Sequence, residues 1–180
     1  MFPSRGIFIL WISLHSLAVT ALAGGDGAQA GSPWLAYLAR FHPVLVHFPI
    51  ALIPAALLAE WLSLKPSWRS LQVAARFCIT LGAIASIAAA TLGWLAADVT
   101  EVPYEPDSIL RAHRAAGIAT VISGFAAAVF TWRADRTGRR TDFLFYRIAL
   151  HLSAASAIFA GHFGGLLSYG EQYFSWPTGP

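Results

Sequence analysis

Six histidines are the residues of this chain best suited to chemistry. Five fall in or beside stretches that otherwise read as lipid-soluble: His42 and His47 in "FHPVLVHFPIAL", His113 in "HRAAG", His151 in "LHLSA" and His162 in "AGHFGGLLSYG"; His15 lies in the N-terminal run. Ionisable side chains below a membrane surface are rare, and they bind ions, relay protons or pair with one another. Neutral imidazole is also an axial ligand for haem iron and a ligand for zinc or copper. What matters is which of these rings the helices bring together.

Composition sets the elements that must position them. Of 180 residues, 57% are hydrophobic and 12% charged, with a mean hydropathy of +0.59. Soluble domains carry about 25% charged residues, so lipid is the expected solvent. Twelve basic against nine acidic residues leave a net charge of +3, too small for a nucleic-acid footprint. The single cysteine, Cys78 in "ARFCITLG", excludes an internal disulfide and reads as a small buried side chain. Apart from the alanine-rich second span, the sequence reads as free of internal repeats.

Residues 1–30 combine Arg5, an apolar core and the small-residue sites "ALA" and "AQA", the pattern of a signal peptide or, uncleaved, of a signal-anchor helix. Residues 31–180 are predicted to form an all-α bundle of four spans, each long enough for a bilayer, at about 41–64, 71–97, 113–132 and 143–167. The link between spans one and two carries Lys65 and Arg69, and that between three and four carries Arg133, Arg136, Arg139 and Arg140. The link between two and three, "DVTEVPYEPDS", is acidic. By the positive-inside rule the first and third spans run inward and the second and fourth return. The expected protein is a multi-pass bacterial inner-membrane protein whose C-terminus is periplasmic.

Depth then sorts the histidines. At about 1.5 Å per residue, His47 lies roughly 8 Å inside the outer end of the first span and His162 roughly 8 Å inside that of the fourth. His42 and His113 sit at the outer rim. The expected site is one haem b held by His47 and His162, with Gly161, Gly164 and Gly165 leaving a groove for a flat cofactor. Arg114, with Arg40 and Arg111, can meet propionates there or pair with Glu101, Glu105 or Asp107. His151 projects from the same face as His162 but has no inner-half partner except His15, so it reads as a satisfied core residue. Pro49 and Pro54 predict a bend in the first span, and Pro43 suits a first helical turn.

Two other readings stand beside haem. One is a zinc or copper site built from His42, His47, His113 and His162, although no "HExxH" and no nearby Cys or Met accompanies it. The other is a cofactor-free membrane scaffold or assembly protein. Hydrolase signatures and phosphate loops are absent, so a non-catalytic redox or membrane subunit is expected rather than an enzyme.

The "FHPVLVHFPIAL", "LGWLAA", "HRAAG" and "GHFGGLLSYGEQYF" segments together resemble the bacterial membrane-protein family catalogued as domain of unknown function 2231, over about residues 38–175. That family is similar in outline to four-helix b-type cytochromes, and some members accompany cytochrome c-like proteins. The resemblance implies electron transfer at the periplasmic face with a quinone or a c-type cytochrome. By the same likeness His42, His47, His113 and His162 are the carried-over candidates.

Overall fold

The computed structural model describes residues 32–99, 108–170 and 172. The expected signal segment, most of the acidic link and the aromatic residues after 172 lie outside the described residues. What is described is helical, without a strand among the described residues: α1 (Pro33–Ala39), α2 (His42–Leu45), α3 (His47–Leu62), a 3-10 turn (Pro66–Trp68), α4 (Leu71–Val99), α5 (Ile109–Thr137) and α6 (Arg140–Tyr169).

The first three helices are successive pieces of one span, Pro33–Leu62, followed by spans Leu71–Ala97, Ile109–Thr137 and Arg140–Tyr169. All four are long and apolar enough to cross a membrane. Their outward faces carry large apolar side chains, with Val73 70% and Ile122 66% exposed, as lipid contact requires.

The first span begins eight residues earlier than expected, at Pro33 rather than 41, and it is interrupted as well as bent. Pro43 has no N–H to give Ala39, and Pro49 none to give Leu45. The helix lapses at Arg40–Phe41 and again at Val46, just past each orphaned carbonyl. In place of the missing bonds, the amides of Arg40 and Phe41 donate to the carbonyls of Tyr37 and Leu38, three residues back. Pro54 sits inside α3. The third span opens on Ser108, whose hydroxyl accepts from the Arg111 amide, and closes on Gly138, left-handed at φ 63°. Only glycine adopts that conformation cheaply, so α6 starts two residues later.

The four spans pack in ring order, each against the next and α6 against α3. Ile53, Ile79 and Leu150 are fully enclosed, surrounded by Ala56, Ala127 and Ala154. Small residues allow this. A Cβ placed on Gly82 would stand 2.8 Å from Ile53 Cγ1, and lipid offers helices little reason to associate except such close fit.

The buried residues of the first two spans recur in the last two at a constant offset of 71 positions. Ala39, Pro49, Ile53, Ala56, Glu60 and Ser63 in the first span correspond to Leu110, Thr120, Gly124, Ala127, Thr131 and Ala134 in the third. Ala75, Ile79, Gly82, Ala83 and Ser86 in the second correspond to Tyr146, Leu150, Ser153, Ala154 and Ala157 in the fourth. The expectation that the chain holds no repeat is therefore corrected. What repeats is the pattern of burial, carried mostly by different residues.

Candidate functional site

At the end remote from the basic links, the outer end in the orientation that the positive-inside rule predicts, the ring of helices opens into a cleft of about 400 Å³, bordered by all four spans. That size falls in the range of about 300–1,000 Å³ usual for small-ligand sites. Three histidines line it: His42 and His113, the two expected at the aqueous rim, and His47.

His42 lies nine residues into the first span, about 14 Å along it at 1.5 Å per residue, and is half-buried. Its Nδ1–H donates to the carbonyl of Ala89 at 2.9 Å. His113 is also half-buried, and its Nδ1–H donates to the carbonyl of Ala160 at 2.9 Å. A carbonyl only accepts, so Nδ1 carries the proton in both rings. Nε2 is then the lone-pair nitrogen of each neutral imidazole. The two ring centroids are 6.2 Å apart and the ring planes cross at 81°.

Each ring reaches its carbonyl over a glycine. Four residues past Ala89 comes Gly93, where a Cβ would lie 2.6 Å from Cε1 of His42. Four residues past Ala160 comes Gly164, where a Cβ would lie 3.2 Å from Cε1 of His113. The first distance is a clash and the second demands a small retreat. Gly161 closes on Ile50 at 3.2 Å, whereas Gly117 has nothing within 4 Å of its absent side chain; both line the cleft, with Gly165 beside them. Arg114 also lines the cleft and stacks its guanidinium 4.5 Å above Trp94, a cation–π contact that holds it along one wall.

His47 and His162, expected as the pair, are both exposed. His47 stands at the edge of the cleft, and His162 does not line it. The reason is angular. Five residues of helix turn through about 140°, so a first span that aims His42 inward turns His47 away. On the fourth span the inward positions are Ala157, Ala160 and Gly164, and His162 falls between them; its ring lies 5.7 Å from that of Phe163.

Among the described residues no group of three or more His, Cys, Asp or Glu side chains gathers closely enough to hold a metal ion. The four-histidine zinc or copper centre is thus not assembled by the fold. His151, expected as a satisfied core residue, is satisfied but exposed on the bundle's surface, accepting at Nε2 from the Trp61 indole N–H at 3.0 Å and donating from Nδ1 to the Arg147 carbonyl at 2.7 Å.

Sequence reasoning missed Ala89, Gly93, Trp94, Gly117 and Ala160. A signal for the core of the set was present: His42 precedes Ala89 by the same 47 residues that separate His113 from Ala160, and a glycine follows four later in both cases.

The family described as Predicted membrane protein (DUF2231) matches residues 39–173, which takes in the first span from Ala39 onward, the other three spans and every residue of the cleft. No curated protein and no solved structure matches the chain.

Proposed function

The chain belongs to the DUF2231 family of predicted membrane proteins, and on that premise we propose that it is a haem b-binding electron-transfer protein of the bacterial inner membrane, with His42 and His113 as the two axial ligands. The periplasmic face, where the cleft opens in the orientation set by the basic links, is where it exchanges electrons with a quinone or a c-type cytochrome. It acts as a redox subunit and not as an enzyme in its own right.

One observation carries the reading: two imidazoles from different helices enter one apolar cleft, each tied at Nδ1 to a backbone carbonyl. Histidines that bind metals nearly always donate their other ring N–H in this way, which fixes the tautomer and raises the basicity of the free nitrogen. The ring centroids lie 6.2 Å apart, so both imidazoles stand at one place in the cleft, and His42 and His113 are the residues that would hold the group. Gly117, with nothing within 4 Å of where a Cβ would stand, leaves open room in the cleft, as a macrocycle needs. When bound, haem supplies a one-electron couple. The protein's part is to hold both rings in one tautomer, to keep water from the apolar walls, and to place the Arg114 charge at the margin.

A cofactor-free scaffold reading has its own support, because a histidine N–H on a neighbouring helix's carbonyl also serves as glue between spans. Absorption of the detergent-purified protein, expressed with haem supplied, separates the two. The electron-transfer reading expects a Soret band and a reducible α-band, both lost in His42→Ala and in His113→Ala. Absence of both bands in the wild type leaves the scaffold. Retention of haem by either variant, with loss in His47→Ala and His162→Ala, would return the ligand role to that exposed pair.

A further inference from the structure

The constant offset of 71 residues covers the cleft as well as the core. His42 maps to His113, the accepting carbonyl of Ala89 to that of Ala160, and the clearing glycine Gly93 to Gly164. The arginines of the two ion pairs obey the same relation, whereas their acids do not, Asp135 corresponding to Leu64 and Glu60 to Thr131. Arg76 of the second span reaches Asp135 of the third at 2.6 Å, and its equivalent, Arg147 of the fourth, reaches Glu60 of the first at 2.9 Å. Both pairs join the second helix of one hairpin to the first helix of the other. Such a set follows from a two-fold relation that exchanges the hairpins about an axis running along the helices, the arrangement of parallel repeats in membrane proteins. His42 and His113 then face each other across that axis.

We infer that the chain is a tandem duplication of one helical hairpin, and that the cleft is a shared two-fold site in which each hairpin supplies one imidazole, positioned by its own Ala-x-x-x-Gly step. Gly93 and Gly164 are accordingly positioning residues. A Cβ at Gly93 would clash with the ring on its carbonyl, and one at Gly164 would press its ring back. The ligand class follows from the symmetry. It sits on the axis, accepts one nitrogen from each half, and presents similar faces to both, as a metal in a planar macrocycle does. The choice of ligand rests on the haem reading; the paired site does not.

The two parts are tested separately. In full-length protein purified without added haem and labelled with 15N-histidine, the ring resonances should show His42, His113 and His151 as Nδ1–H tautomers. One of these should be lost in His42→Ala and another in His113→Ala, with that of His151 kept in both. An Nε2–H tautomer at either ring overturns the shared site. In protein loaded with haem b, Gly93→Ala and Gly164→Ala should each raise the midpoint potential relative to wild type. A ligand that loses its N–H···O bond becomes less basic and holds the oxidised metal less well. The larger rise belongs to Gly93→Ala, and Gly164→Ala, which requires only a slight retreat of its ring, gives the measurement should the tighter variant not fold. A rise from only one glycine when both variants fold, or a fall from either, would refute the equivalence. If no variant and no wild type takes up haem, the electron-transfer reading fails, and the tautomer spectrum still decides whether the two halves are alike.

Discussion

The inner and outer halves of the bundle treat polar groups in opposite ways. In the inner half, charges are used up between helices. Glu60, which is 4% exposed, accepts from Arg147 Nε at 2.9 Å and from the Tyr146 hydroxyl at 3.3 Å, and Asp142 accepts from Thr137 at 2.7 Å with Arg133 beside it at 3.5 Å. Above them Ile53, Ile79 and Leu150 close the core. In the outer half the same helices separate around a cleft, and each histidine there spends one ring nitrogen on a neighbour and keeps the other. The fold is thus held at one end and left open at the other. Stability and chemistry should respond to different substitutions.

The largest expected effect is the complete loss of haem absorbance in His42→Ala or His113→Ala, with the thermal midpoint in detergent lowered only by the loss of ligand and of one interhelical hydrogen bond. A drop in that midpoint as large as the core variants give would show that the outer half carries the fold as well. Next come Leu150→Ala and Ile79→Ala, which remove fully enclosed side chains. Each should destabilise by about 1–3 kcal/mol, the lower part of the range for large-to-small changes, because lipid already solvates the unpacked helix. Equal losses at these two positions sharpen the equivalence of the hairpins, as read by unfolding in denaturant. Arg147→Ala leaves Glu60 buried without its cation. It should cost roughly 1–3 kcal/mol, given an arginine that is 43% exposed, while haem bound per folded molecule stays unchanged. The smallest effect is that of Asp135→Asn, at about 0–1 kcal/mol, since both members of its pair are about one-third exposed. A large cost there would mean that the two ion pairs share the work evenly.

Hydropathy alone located the four spans because the length of lipid to be crossed leaves little freedom, and their inner ends fell within a few residues of the observed ones. The outer end of the first span was harder to place. Prolines at 43 and 49 look like a beginning, whereas they interrupt a helix that already started at Pro33. That displacement of eight residues carried through to the site: depth counted from residue 41 put His42 at the water surface and His47 in the interior. Depth also says nothing about direction. The angle of about 140° between His42 and His47 was readable, but only the packing of α4 against the first span decides which of them points inward. The repeat escaped notice for a different reason. Gly82 answers to Ser153, Ser86 to Ala157 and Glu60 to Thr131, so equivalent places are filled by whatever small or tethered group fits, and letters hide what burial displays.

The carbonyl bonds of His42 and His113 have a last consequence for how the cleft meets a change of charge. A ring fastened at Nδ1 to a rigid helix cannot swing or flip when the charge near its other nitrogen rises or falls by one, and the apolar walls offer few dipoles that would need to turn. On the proposed electron-transfer reading, nuclear rearrangement on gaining or losing an electron at that point would therefore be small. The two alanine carbonyls would then lower the reorganisation energy of the site.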